Sequence, residues 1–401
     1  MYDSNAFALF LPMESSIRVY PTLLMKAAEV VEAVCIQGKT AGPLIRAALR
    51  SDKRMGSRDR KQLGFLIYEG FRHYRSVGFR YQLEEPLEIV AGIAHEAGWS
   101  LPKEWADRTF SVLKEPQDLA ILHSYPDAFY QLAEKEVGVE WPKQAAAMQT
   151  KAPLVLRVNT LKSNKAELVN QLNSEGIVCA VDASYPEAIV IHAPVDLGQH
   201  PLFLSGAFEI QDGGSQAIGL FCAPKPQEEI LDACAGGAGK SLHLAALSAN
   251  KSRIWVSDGI PERLADGKER AQRAGAKALF FQDTPETVLQ QKAFFDLVLI
   301  DAPCTGSGTI RRDPSLKWTI TETQLDKVVE LQKKILDQYA PLVKPGGRLV
   351  YATCSLFARE NQNQITQFLE RNSSFRLDEI KQVFPDQGYD GYYMARLVKK
   401  D

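Results

Sequence analysis

The chain reads as an α/β protein whose last domain is a mostly parallel sheet with helices on both faces. Two observations predict this. From about residue 215, apolar runs of strand type (EEILDAC, SRIWVSD, ALFFQD, FDLVLIDAP, RLVYATC, FRLDEI and YYMARLVKK) are interleaved with helical stretches such as KSLHLAALSA, ERLADGKERAQRAG and TETQLDKVVELQKKILDQYAPLV. Two of the strands run out into cysteine signatures about fifty residues apart, Asp301-Ala-Pro-Cys304 and Thr353-Cys354-Ser355. In open α/β sheets, ligands bind at the carboxyl ends of the strands. Two thiols on neighbouring strand ends point to covalent chemistry in which one attacks and the other helps undo the attack.

Before that domain the texture is different. Residues 15 to about 148 read as helices, because TLLMKAAEVVEAV, AGPLIRAALRS, SRDRKQLGFLIYEGFRHYRSV and DAFYQLAEKEV carry apolar residues at three- and four-residue spacing. Ser57 is the expected N-cap of the third. From Pro153 the order is strand (LVLRVNT), helix (KAELVNQLNSEG, closing on Gly176) and two strands (VCAVDA, AIVIHA), a small α/β unit. The expected domains are therefore 1–148, 149–214 and 215–401.

With 401 residues, 45% hydrophobic and 24% charged, the chain has the composition of a globular protein with two or three domains. No apolar run approaches the roughly 20 residues that span a bilayer. The stretch AFALFLP is short and follows Asp3, so it is not read as a signal peptide. None of the six cysteines forms a CxxC pair, and no metal-ligand spacing occurs, so no metal is expected. Reduced thiols in a cytoplasm are the expectation, and Cys35, Cys179, Cys222 and Cys234 are read as small core residues. Net charge is −2, yet Lys39–Arg80 holds eleven basic and three acidic residues. Such a run can face a phosphate backbone.

LDACAGGAGKS is a strand, a Gly-rich turn and a helix start. A P-loop ending at Gly239-Lys240-Ser241 would need glycine where Cys234 stands, and no GxGxxG occurs. The next strand ends in Asp258, whose carboxylate can accept from two ribose hydroxyls. The third ends in Asp283, which can accept from an adenine amino group. A Gly-rich turn with two such acids suits an adenosyl ligand without pyrophosphate, and S-adenosylmethionine fits.

Taken together, Asp232-Ala-Cys-Ala235, Lys240, Asp301-Ala-Pro-Cys304, Arg311-Arg312-Asp-Pro314, Lys317-Trp318, Tyr351-Ala-Thr-Cys354-Ser355, Glu360-Asn361, Arg157-Val-Asn159, Gln211-Asp212 and Asp390-Gly-Tyr-Tyr-Met-Ala395 resemble the RNA cytosine-5 methyltransferases of the Sun/NOL/NOP2 class. Ser57-Arg58-Asp-Arg60 and Tyr68-Glu-Gly-Phe-Arg72 resemble the NusB-like domain of the bacterial small-subunit ribosomal RNA methyltransferase B family. The resemblance implies a Rossmann-like, class I S-adenosylmethionine-dependent methyltransferase domain, preceded by an RRM-like α/β domain and a helical NusB-like domain. It also implies an RNA partner, ribosomal RNA first and transfer RNA second, for a monomeric enzyme.

Residue by residue, the resemblance makes Cys354 the nucleophile at carbon 6 of cytosine and Cys304 the residue that assists release. The residues alone leave those roles interchangeable. Asp301 is expected on the cytosine edge and Lys240 beside the base or cofactor. Cys234, Ala235, Gly236, Gly237, Ala238, Gly239, Lys240, Asp258, Arg263, Asp283 and Asp301 are the expected cofactor contacts. Arg311, Arg312 and Lys317 are expected to hold phosphates beside the flipped base, with Arg312–Asp313 as a possible local ion pair. Arg58 and Arg60 are expected RNA contacts. The loop departs from the family's Cys-Ala-Ala-Pro-Gly-Gly-Lys: Gly237 replaces proline and Ala238 replaces glycine. That implies a less rigid loop, with an alanine ill suited to positive φ. A catalytically inactive RNA-binding assembly factor and a transfer RNA methyltransferase are the alternatives.

Overall fold

The computed structural model describes residues 17–106, 110–192, 195–282 and 284–401. Residues 1–14, including the AFALFLP stretch, and Asp283 lie outside these. The chain divides into two compact units, one comprising residues up to Glu134 with Asp313–Thr321, the other Lys135–Arg312 with Glu322–Asp401.

The first unit is helical. Helices Pro21–Cys35, Ala41–Arg50, Ser57–Tyr81 and Pro86–Glu96 bury Leu24, Val31, Leu63, Leu66, Ile67, Phe71, Val90 and Ala94 against one another. Ser57 is the first helical residue of its helix, not the cap. Gly56 takes the cap position, and the Asp59 carboxylate accepts from its N–H at 3.0 Å. Asp313–Thr321 belongs here because Lys317 Nζ donates to the Arg72 carbonyl at 2.8 Å and Trp318 Nε1 to the Phe71 carbonyl at 2.7 Å.

The helical texture runs on to Ala147, but residues 135–147 pack within the second unit. The Glu136 carboxylate accepts from Arg359 Nε at 2.6 Å, and Gln144 Oε1 from the Asp386 N–H at 3.1 Å. The division therefore falls before residue 135, earlier than the change of texture. These anchors lie more than two hundred residues along the chain, where local pattern is silent.

The second unit holds two sheets. The smaller comprises β1 (Leu154–Val158), β2 (Cys179–Val181), β3 (Ala188–Ile191) and β4 (Phe208–Ile210), antiparallel in the order β2-β3-β1-β4. The helix Lys165–Ser174 starts at Asn164, whose side chain accepts from Glu167 N–H, and closes before Gly176 at φ +80°. Its Leu168 and Leu172 pack on Leu156, Val158, Ile189 and Phe208. The result is a ferredoxin-like βαββαβ arrangement.

The larger sheet comprises β5 (Glu229–Asp232), β6 (Arg253–Val256), β7 (Leu279–Phe281), β8 (Phe295–Asp301), β9 (Val343–Thr353), β10 (Phe375–Val383) and β11 (Tyr392–Lys399), in the order β10-β11-β9-β8-β5-β6-β7. Strands β5 to β9 pair in parallel; β11 is antiparallel to both β9 and β10. The seven predicted strands are all present. Their unbroken apolar runs arise because both faces are covered: Val298, Leu299, Ile300, Leu349, Val350 and Tyr351 are fully buried. Strand order reverses between β5 and β8, which opens a crevice at their carboxyl ends. This is a Rossmann-like, doubly wound core. Among the described residues, no helix is long and apolar enough to cross a membrane.

Candidate active site

Strand β8 ends at Asp301 and β9 at Thr353, so the loops that follow bring Cys304 and Cys354 together, Sγ to Sγ at 3.2 Å. Both loops hang on one buried carboxylate. Glu360 accepts from the Thr305 N–H (2.8 Å), Thr305 Oγ1 (2.5 Å), Ser355 Oγ and Gln332 Nε2 (3.1 Å). Thr305 follows Cys304 in the chain and Ser355 follows Cys354, so Glu360 ties the two cysteine loops to each other. Burial raises its pKa, while the hydroxyl and amide donors work against the rise. Asn361 adds a second tie: its Oδ1 accepts from Thr353 Oγ1 at 2.6 Å, and its Nδ2 donates to the Ser355 carbonyl at 2.8 Å.

The two sulfurs have different surroundings. The hydrogen bond to Cys354 and burial push the Cys304 thiol well up, with Glu360 and Asp301 adding in the same direction. Cys354 is among the groups that add to the upward shift of Lys240. Lys240 is itself hydrogen-bonded to Asp301. Burial alone would lower its pKa, but Asp301 outweighs burial and the net shift is upward, so the ammonium is retained. Tyr392 closes this side, buried, its ring 6.0 Å from Lys240 Nζ. Burial, then Cys354, holds its phenol well above the usual range.

The Gly-rich turn follows β5. Gly236 has φ +51° with open space where a β-carbon would stand, and its N–H donates to Asp258 Oδ2 at 2.8 Å. Ala238 sits at φ +58°, the left-handed conformation the sequence reading judged unfavourable for it. An L-residue is disfavoured there by about 1–2 kcal/mol, so other contacts must hold the loop. The helix Gly239–Leu247 starts at once. Buried Asp232, at the end of β5, accepts from Ser241 Oγ at 2.6 Å. Burial raises its pKa to about 7, with Asp301 and Asp258 contributing, and its other oxygen has no hydrogen-bond partner among the described residues. A loop with room at Gly236, an acid at the end of β6 and an unpartnered buried carboxylate oxygen suit an S-adenosylmethionine molecule. Asp258 would hold the ribose, and the loop with Lys240 and Asp301 would hold the methionine end. Cys234 and Ala235 lie in the turn, with the Ala235 N–H on the Ser257 carbonyl. Arg263 ends an exposed 3-10 turn after Ile260, whose N–H bonds Asp258.

The expected phosphate contacts need correction. Lys317 is 1% exposed, its Nζ on the Arg72 carbonyl and 4.7 Å from the Tyr125 ring centroid. Burial, then Arg72, pushes its pKa well down. Arg311 is 6% exposed and donates to the carbonyls of Pro385, Tyr389 and Lys151 and to Thr150 Oγ1. Neither reaches the surface. Arg312 is 43% exposed, and it pairs with Asp390 (2.7 Å) and Asp212 (3.0 Å), not with Asp313. Burial and the facing Asp390 raise Asp212 to about 6. Arg58 and Arg60 are exposed on the first turn of their helix, with Arg46, Arg50, Lys53, Arg54 and Lys61 exposed nearby in sequence.

Asp232, Glu360, Asn361 and Tyr392 stand in the quoted motifs, but the sequence reading gave them no role. Arg157, also in a quoted motif without a role, donates through Nη1 to the Gly239 carbonyl at 3.0 Å, and Arg270, in no quoted motif, donates through Nη1 to the Gly237 carbonyl at 2.7 Å.

Residues 220–398 match the family model described as 16S rRNA methyltransferase RsmB/F, and residues 125–198 match the ferredoxin-like domain of RsmF/B-like methyltransferases. The ribosomal RNA small subunit methyltransferase B of Shewanella oneidensis is 36% identical over 272 residues, which cover 65% of this chain and 63% of that protein. The protein of the same name from Salmonella paratyphi A is 32% identical over 294 residues, covering 71% and 68%. The matched stretch thus spans about two thirds of these relatives' length, and less than that for the first. The crystal structure of a methyltransferase homolog protein from Pyrococcus horikoshii superposes with a TM-score of 0.62 at 27% identity, covering 70% of this chain and 98% of that one.

Proposed function

Because the chain belongs to the RsmB/F methyltransferase family, we propose that it methylates carbon 5 of a cytosine in RNA through a covalent adduct between Cys354 and carbon 6. Small-subunit ribosomal RNA is the favoured substrate, on the strength of the relatives' names. The observation that carries the reading is the pair of sulfurs 3.2 Å apart with unequal surroundings.

Carbon 5 of cytosine is a poor nucleophile until something adds at carbon 6. In the proposal the attacking species is the Cys354 thiolate, and the Lys240 ammonium, which interacts with Cys354, is the positive charge beside it. The Cys304 and Cys354 sulfurs share one hydrogen bond. Addition of the Cys354 thiolate moves the 5,6 double-bond electrons onto carbon 5. S-adenosylmethionine supplies the activated methyl group that carbon 5 takes up. Asp301, held by Lys240, favours a proton on ring nitrogen 3, which draws electrons from carbon 6. Product release returns the electrons of the carbon 5–hydrogen bond to the ring and those of the carbon 6–sulfur bond to Cys354. The carbon 5 proton needs a base. In the proposal Cys304 assists loss of that proton, which passes from carbon 5 to a base beside it as the carbon 6–sulfur bond opens.

The target base has to leave its stack to reach a strand-end crevice, so looped or single-stranded RNA is the natural substrate. The same proposal reads the helical N-terminal part as NusB-like, the small sheet as RRM-like and residues 215–401 as the catalytic domain. Strand order supports an RRM-like fold. Yet β1 (LVLRV) and β3 (AIVI) carry no aromatic residue, so base stacking on that sheet is not part of the reading. The exposed arginines around Arg58 are its RNA contacts. The free thiols suit a reducing cytoplasm.

The experiment is methyl transfer from labelled S-adenosylmethionine to naked small-subunit ribosomal RNA and to transfer RNA, followed by nucleoside analysis. Label in 5-methylcytidine of ribosomal RNA is expected. Label confined to transfer RNA would move the substrate, label in a methylated uridine would overturn the chemistry, and RNA binding without transfer would favour the assembly-factor alternative.

A further inference from the structure

We propose that Arg270, seated on Glu209, is a positioning residue for the cofactor loop, and that it supplies by a side-chain clamp the rigidity which the loop's own backbone lacks. Gly237 stands where the resembling family has proline, and the loop carries two residues at positive φ, Gly236 and Ala238. The Arg270 guanidinium donates through Nη1 to the carbonyl of that same Gly237 at 2.7 Å. A β-carbon at residue 237 would lie 3.1 Å from Arg270 Nη1, and one at 239 would lie 3.5 Å from Nη2. The clamp therefore occupies the space beside the loop that side chains or a proline ring at these positions would contest.

The rest of the guanidinium is fixed from behind. Nε and Nη2 both donate to Glu209 Oε2, at 3.2 and 2.9 Å, and Glu209 is buried on β4. Its other oxygen accepts from Arg273 Nη2 at 2.5 Å, and Arg273 lies over the Phe203 ring. Arg273 shares the buried carboxylate, and its guanidinium bonds Glu209 and not a loop carbonyl among the described residues. Charge-assisted bonds to a buried carboxylate orient a planar guanidinium well. Arg157, on β1, holds the Gly239 carbonyl in the same way, supported by Gln211 Oε1 at 2.8 Å. Two residues of the small sheet, Arg157 and Glu209, thus act on the cofactor loop of the larger one.

The inference rests on S-adenosylmethionine binding at this loop, and calorimetric titration of the full-length protein with S-adenosylmethionine tests both points separately. Wild-type binding tests the cofactor reading. Arg270→Ala is expected to raise Kd about tenfold, which is about 1.4 kcal/mol, with RNA affinity unchanged within twofold. Arg270→Lys keeps the charge but loses the fork, and should recover only part of the affinity. Arg273→Ala removes an equivalent ion pair with Glu209 and should stay within twofold of wild type. Wild-type affinity in Arg270→Ala, or an equal loss in Arg273→Ala, would overturn the clamp while leaving the cofactor reading standing. Absence of binding in the wild type would overturn both.

Discussion

The cysteine loops and the cofactor loop open from the same sheet edge, yet they are held in opposite ways. The cysteine loops are tied mainly by groups in or just after their own signatures, with Gln332 the one side chain from farther off: Thr305 next to Cys304, Ser355 next to Cys354, and Glu360 and Asn361 five and six residues beyond Ser355. Those ties converge on the buried Glu360 carboxylate and the Asn361 amide and leave the sulfurs in contact. The cofactor loop has small residues and positive φ, and it is clamped from outside by Arg270, 33 residues from Gly237, and Arg157, 82 residues from Gly239. Where covalent chemistry demands fixed atoms, the motif carries its own scaffold. Where a ligand must approach backbone, the loop stays bare and neighbours do the holding.

The largest effect that would break this contrast is expected at Glu360. Glu360→Gln keeps size but turns one acceptor oxygen into a donor facing the Thr305 and Ser355 donors, and an unsatisfied buried donor costs about 1–3 kcal/mol. The cysteine loops should separate, and kcat should fall about a hundredfold, equivalent to roughly 2.7 kcal/mol. Affinity for S-adenosylmethionine should stay within twofold, because Glu360 has no part in the cofactor loop. A fall in kcat of less than fivefold would show that the sulfurs do not depend on this carboxylate. The Arg270 series is the middle case, with a tenfold change in affinity only.

The smallest effect is expected at Ala238. Ala238→Gly relieves the left-handed strain of about 1–2 kcal/mol but gives up a buried methyl worth about 0.8 kcal/mol and adds unfolded-state freedom of about 0.5–1 kcal/mol. Stability by denaturant unfolding should therefore move by less than about 1 kcal/mol. A larger loss would mean that the Ala238 methyl, not the arginine clamp, holds the turn.

The same contrast explains what could be read from sequence. The strands of the larger sheet were legible because parallel strands buried on both faces are continuous apolar runs, and the cysteine pair was legible because its positions follow directly from strand ends. Helix spacing found the N-terminal helices. Gly56 rather than Ser57 as the cap is a one-residue slip set by Asp59. The arginine clamps were not legible: Arg270 sits in ERLADGKERAQRAG, which reads as any charged helix, and its partner Glu209 lies 61 residues away. Lys317 was misread for the same reason. A lysine in a basic loop looks like a phosphate contact, but its acceptor, the Arg72 carbonyl, is 245 residues distant, and only the fold shows the ammonium buried.

The central claim is that Cys354 attacks and Cys304 releases, and trapping on RNA tests it most directly. Purified Cys304→Ala and Cys354→Ala variants would each be incubated with S-adenosylmethionine and small-subunit ribosomal RNA, then resolved on a denaturing gel. The account predicts a covalent protein–RNA adduct that accumulates with Cys304→Ala and is absent with Cys354→Ala. An adduct that accumulates with Cys354→Ala instead would contradict it.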